Sequence, residues 1–132
     1  MSQENVEIVR AAFEAAERDK PGAMLDFLDA AIVWEVRSDL PDAETYTGHD
    51  GFRRLLAAFD EVLDDSWYRP VEFIEAGEQV VVPLRWGGRG KASGAASELS
   101  ETWVFTVRDG KVTSVKEFAN KSAALEAAGL SA

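Results

Sequence analysis

The chain has no cysteine, so disulfide staples and thiolate metal sites are both excluded. It has a single histidine, His49, which is too few for a histidine-based zinc site. Basic residues are scarce beside acidic ones, 14 against 24, and the net charge is −10. Phosphate recognition needs clustered Lys and Arg, so this balance argues against DNA, RNA and anionic membranes as partners. No apolar run approaches the roughly 20 residues that span a bilayer. The first residues, MSQENVEIVR, show no basic start followed by an apolar block and so do not read as a signal peptide. A cytoplasmic protein without cofactor or tightly held metal is the expectation.

What is present reads as one domain over residues 1–132, long enough to bury a core without staples. Val6, Val9, Phe13 and Ala16 fall at helical spacing over 3–18, with Ser2 or Asn5 as N-cap. Pro21 suits the first turn of a short helix over 21–29. AIVWEV, 31–36, reads as a strand, and 37–48 as a polar loop. A third helix is predicted over 50–64, with Phe52, Leu55, Leu56, Phe59 and Leu63 on one side. Strands follow over 67–76, 79–89, 97–108 and 111–119, and a closing helix over 121–128. Asp109-Gly110 marks a type I′ hairpin turn, whose central positions need positive φ. Helices first and a meander after define an α+β domain, with three helices against one face of a strongly curved antiparallel sheet. That cone leaves a hollow between sheet and helices.

The segment LSETWVFTV, 99–107, carries an anomaly. Leu99, Trp103, Phe105 and Val107 make an apolar strand face, and Glu101 interrupts it. Such a carboxylate either lines a pocket or sits in water at a strand end. The four tryptophans, Trp34, Trp67, Trp86 and Trp103, suit the walls of an apolar pocket, and equally a core or a dimer face. Trp86, beside Gly87-Gly88, suits an interface or a packing position on the helices. His49, in TGHDGF, stands at a helix entrance, where capping is simpler than general-base chemistry. Tyr46 lies in the polar loop and can donate to a ligand at the cavity mouth. Arg53-Arg54 and Lys116 suit a solvated face. Gly87-Gly88-Arg89-Gly90 does not open a helix and is no phosphate loop.

The stretches MSQENVEIVRAAFEA, TYTGHDGFRRLL, FIEAGEQVVV and TWVFTVRDGKVTSVKEF together resemble the nuclear transport factor 2-like (NTF2-like) superfamily, and within it the SnoaL-like group. The resemblance implies a cone-shaped α+β barrel and a homodimer through the sheet. For that dimer, Val80, Val82, Leu84 and Trp86 are the candidate outer row. Laid without gaps on the ketosteroid isomerases of the superfamily, the chain places their catalytic base at Glu35. The same comparison puts Ala11 where they have a tyrosine donor and Trp103 where they have a protonated aspartate. The base position is kept and the oxyanion hole is not, so steroid isomerisation is not expected. The resemblance turns Trp103 inward, and with it Glu101 and Phe105, while Glu117 faces inward on the last strand. Arg85 is a candidate for the same face, although Pro83 marks a bulge that unsettles its parity.

The expected function is small-molecule binding, with cofactor-independent cyclase or isomerase chemistry on an apolar, carbonyl-bearing substrate. Glu35 would be the base, Glu101 or Glu117 the acid, and Arg85, Trp103, Tyr46 and Phe105 would position the substrate. The alternative is a non-catalytic ligand-binding or dimerisation module. An open cavity with converging carboxylates favours the first, and a cavity filled by Trp103, Phe105 and Phe118 the second.

Overall fold

The computed structural model describes residues 2–39 and 43–130. Pro41, expected in the polar loop, lies outside them, as does the Ser2 side chain proposed as an N-cap. Helix α1, Ser2–Arg18, buries Val6, Val9, Phe13 and Ala16, the predicted stripe. Pro21–Phe27 winds as a 3-10 helix with Met24 buried. It is shorter than expected because Leu28 already pairs with Val112 in the sheet, so strand β1 runs Leu28–Glu35.

Inside the expected polar loop lies a three-residue edge strand, β2, Thr45–Thr47. Helix α2 then spans Gly48–Asp60. It ends before Leu63 because Asp60 and Glu61 place negative charge at its already negative C-terminal end, and Val62 is an exposed β-branched residue. The segment expected as one strand is two, β3, Leu63–Pro70, and β4, Ile74–Ala76. Pro70 has no N–H to extend a ladder. Strands β5, Gln79–Gly90, β6, Ala96–Arg108, and β7, Lys111–Phe118, complete the sheet, and α3, Lys121–Ala127, closes the fold. Asp109 and Gly110 both take positive φ, 51° and 78°, at the predicted hairpin.

The strand order is β2-β1-β7-β6-β5-β3, with β4 on β5. The expected sheet was antiparallel throughout, and one pairing departs from that: β1 runs parallel to β7. The two are joined by most of the chain, so no hairpin dictates their direction. The α+β cone stands. On its inner face α1, the 3-10 helix and α2 cover a core that includes Ile32, Trp34, Val82, Leu84, Phe105 and Val115. Helix α3 packs on the opposite face, where Ala124 meets Val81 and Val104.

Three expectations about β5 fail for one reason. The β5–β6 register runs unbroken from Gln79↔Thr106 to Arg89↔Ala96, so Pro83 makes no bulge. Pro83 sits between the stretch of β5 paired with β4 and the stretch paired with β3, and its carbonyl accepts from the Val71 N–H. Alternation therefore holds. Val80, Val82 and Leu84 face the core with at most 1% exposure, which removes the reason given for an outer dimer row. Arg85 falls on the outer face, exposed and ion-paired with Glu98.

Further along β5, an added Cβ at Gly87 would run into the Ser97 carbonyl and stand 3.0 Å from the Trp67 ring. Gly87→Ala is thus expected to cost about 1–3 kcal/mol through overpacking. Urea unfolding checks this, and an unchanged midpoint would contradict it.

Candidate functional site

The hollow of the cone is walled by Trp34 from β1, Tyr68 from β3, Trp86 from β5, Trp103 from β6 and Glu117 from β7. Met24 and Pro21 close it from the 3-10 helix, and Phe52, Leu55, Leu56 and Phe59 from α2. The wall is almost wholly apolar, with Glu117 and Tyr68 its ionisable side chains. The cavity is about 30 Å3, room for roughly two waters. A surface recess of about 230 Å3 shares Pro21, Leu56, Phe59 and Tyr68 with it, which marks the mouth. Phe105 and Phe118 do not line it: Phe105 lies in the core against Phe13, Trp34 and Trp103, and Phe118 packs on the outer face.

Glu117 is 8% exposed, and its Oε2 accepts from the Trp34 indole N–H at 2.8 Å. Burial pushes its carboxyl up to about 7. The Glu101 charge adds to that rise, while the Trp34 bond, the Arg37 backbone and the Arg37 charge oppose it. Tyr68 is pushed up to about 12, chiefly by burial and next by the Glu117 charge.

Glu101 is 4% exposed and faces inward as expected. It is not a lone acid. Its Oε1 accepts from Trp86 at 3.0 Å and Trp103 at 2.9 Å, and its Oε2 from Arg37 Nη1 at 3.2 Å. Arg37 also grips Asp39, with Nε–Oδ1 at 3.0 Å and Nη2–Oδ2 at 2.7 Å. The buried pair is therefore Glu101–Arg37, and the guanidinium comes from the end of β1 rather than from Arg85. This network stands behind the indole wall, and Glu101 does not itself line the cavity.

The other candidates lie elsewhere. Glu35 follows Trp34, whose indole is inside, so alternation puts Glu35 on the outer face beside Thr45 and Lys116. The base position inferred from the ketosteroid isomerases is therefore not in the cavity. Tyr46 is 9% exposed, and its hydroxyl donates to Glu44 at 2.8 Å. That bond raises its pKa before burial does, and Tyr46 does not line the cavity. His49 Nε2 lies 2.9 Å from the Leu28 carbonyl oxygen, a tie between α2 and β1. Of the residues read from sequence, the structure brings together Glu117, Glu101 and Trp103 and disperses Glu35, Arg85, Tyr46 and Phe105. Reasoning from sequence missed Arg37, Tyr68 and the indole hydrogen bonds of Trp34 and Trp86 to Glu117 and Glu101. Arg37 is the only Lys or Arg between Lys20 and Arg53, and that isolation beside a predicted strand end was its one signal. Among the described residues no three His, Cys, Asp or Glu gather to hold a metal, and no helix is long and apolar enough to cross a membrane.

An α+β cone whose helices cover the inner face of a curved sheet is the architecture of the NTF2-like class. The SnoaL-like domain matches residues 9–115, and the chain belongs to that family. Among solved structures, an NTF2-like protein from Burkholderia xenovorans LB400 is 33% identical over 97% of both chains, with a TM-score of 0.73. TerC, crystallised with polyporic acid, is 25% identical over 96% of this chain and 98% of its own, with a TM-score of 0.76. A protein of ketosteroid isomerase-like fold from Catenulispora acidiphila DSM 44928, in complex with trimethylamine, is 22% identical over 94% and 93%, with a TM-score of 0.73. Nothing matches among curated proteins.

Proposed function

We infer that the cavity binds a small apolar molecule and that Glu117 moves protons on it without a cofactor, as a cyclase or isomerase would on a carbonyl-bearing substrate. The observation that carries this reading is a buried carboxyl, poised near neutrality, in the wall of an aromatic cavity. A group whose pKa lies near the working pH serves as both acid and base. Glu101 is a positioning group, since its oxygens are committed to Trp86, Trp103 and Arg37. The small molecules held by TerC and by the Catenulispora protein are consistent with this use of the fold.

Exchange of the α-protons of small cyclic ketones such as 2-tetralone in D2O, followed by NMR, tests it. Exchange catalysed by the native protein and lost in Glu117→Gln is the expected result. The alternative is a non-catalytic binding module, with which the small volume of the cavity is compatible. It predicts ligand-induced changes in tryptophan fluorescence with no exchange above the variant.

A homodimer through the sheet remains our proposal on the family resemblance. Sedimentation at tens of micromolar is expected to show about twice the 14.4 kDa chain mass, and a single 14.4 kDa species would refute it.

A further inference from the structure

The cavity offers very few donors to a ligand. The indole N–H groups of Trp34, Trp86 and Trp103 are all spent on Glu117 and Glu101. What remains of these side chains for a ligand is ring surface. No Lys, Arg or His is in the lining, while Glu117 is, so an anion would meet repulsion and no partner. The rings do not form a slot for a flat molecule. Trp34 and Trp103 cross at 79°, Phe59 and Trp86 at 73°, and Tyr68 lies stacked on Trp86 at 17° with centroids 5.7 Å apart. Rings set at these different angles, with Tyr68 and Trp103 at 52°, wall the cavity from more than one side. A box of aromatic rings with one carboxylate attracts a compact cation, through the negative ring faces and through the ion pair.

We propose that the occupant of this box is the head group of a small alkylammonium molecule, paired with Glu117 and caged by Trp34, Trp86, Trp103 and Tyr68. This rests only on the reading above that the cavity takes a small molecule; its cation stands in place of the neutral carbonyl-bearing substrate named there, and the choline and 2-tetralone arms below separate the two. Entry is at the mouth formed by Pro21, Leu56, Phe59 and Tyr68, and because the cavity is about 30 Å3 binding requires Leu56 and Phe59 to move outward. The chain's charge of −10 favours the approach of a cation over an anion. A bound cation favours the carboxylate form of Glu117, so binding expels the carboxyl proton to solvent. The charged or titratable groups facing Glu117 are Glu101 on β6, Arg37 after β1 and Tyr68 on β3. Arg37 stays charged and Tyr68 neutral around pH 7, so neither supplies this proton. Helices α1 and α2 contribute only apolar side chains to the cavity wall.

The test compares choline with its neutral carbon analogue, 3,3-dimethylbutan-1-ol, by calorimetry on the native protein. Neither probe carries an amine proton to lose near neutrality, so any proton released belongs to the protein. Choline is expected to bind at least about tenfold more tightly than the alcohol, equal to about 1.4 kcal/mol. Paired buffers of different ionisation heat are expected to show more proton released per choline at pH 6 than at pH 8, because burial raises the Glu117 carboxyl and binding favours its charged form. Glu117→Gln, checked for folding by circular dichroism, is expected to abolish the release and to reduce the preference, the ring faces keeping the rest. If the alcohol binds as well as choline, the ammonium proposal falls and the small-molecule cavity stands. Choline binding that is undiminished in Glu117→Gln places the cation away from Glu117 and overturns the proposal. If neither binds and tryptophan fluorescence is unmoved by 2-tetralone as well, the cavity reading itself fails.

Discussion

Glu101→Ala is expected to destabilise the protein by about 3–5 kcal/mol, the cost typical of breaking a buried ion pair by removing one partner. The change strands several groups at once. The Trp86 and Trp103 indoles lose their acceptor, and a buried N–H without a partner costs about 1–3 kcal/mol. Arg37, whose side chain is 16% exposed, loses its inner partner and keeps Asp39. Glu101→Gln should cost less, about 1–3 kcal/mol. Its amide oxygen still accepts from the indoles, while its NH2 group is turned on the guanidinium. Urea unfolding of both variants at pH 7 measures the difference. A loss below about 1 kcal/mol for Glu101→Ala would show that the network does not hold the wall of the cavity. Arg85→Met should change little in the same assay, because an exposed ion pair is worth about 0–1 kcal/mol, and that contrast separates Arg37 from Arg85 as the partner.

The architecture was legible where a periodic pattern met a buried face. Val6, Val9, Phe13 and Ala16 marked α1, and Asp109-Gly110 marked the last hairpin. Trp103, Phe105 and Val107 showed the inward face of β6 correctly, with Glu101 among them, while Leu99, read on the same face, is 46% exposed at the strand's outer end. Edges were less legible. Strand β2 has three residues and only Tyr46 buried, too short to show alternation. The parallel β1–β7 pairing arises from contacts distant in sequence, which local pattern does not encode.

The site was legible only in part. On β1, alternation demands that either Trp34 or Glu35 face inward. Analogy favoured the carboxylate, and burial favoured the indole, which buries far more apolar surface. Trp34 is 3% exposed, so the hydrophobic term decides. The same preference explains β5, where Leu84 is inside and Arg85 outside. Arg37 was not legible because it lies past the strand end, where no periodicity aims a side chain. It reaches Glu101 because that carboxylate is buried and needs a counter-charge. The sequence thus disclosed that a carboxylate would be buried on β6, while its partner was a matter of tertiary geometry.

The pH dependence of stability is expected to differ between the native protein and Glu117→Gln by about 3 kcal/mol across the range from pH 4.5 to pH 7.5. Burial raises the folded carboxyl to about 7, against an ordinary value of 4.5 in the unfolded chain. Each pH unit between those values is worth about 1.4 kcal/mol. In that window the folded state holds a proton that the unfolded state has released, so stability falls as pH rises. The contribution is fully present below about pH 4.5 and is lost as pH passes through 7. Other carboxylates titrate too, and taking the difference from Glu117→Gln cancels them. The amide keeps the size of the side chain and an acceptor for Trp34, so the variant should lack this decline. It should equal or exceed the native protein in stability at pH 8, where the native protein carries a buried charge. Urea unfolding at half-unit steps from pH 4.5 to 8 gives both curves. Parallel curves would mean that Glu117 titrates in the ordinary range, and the cavity would then hold an ordinary solvated carboxylate with no reserve proton for chemistry near pH 7.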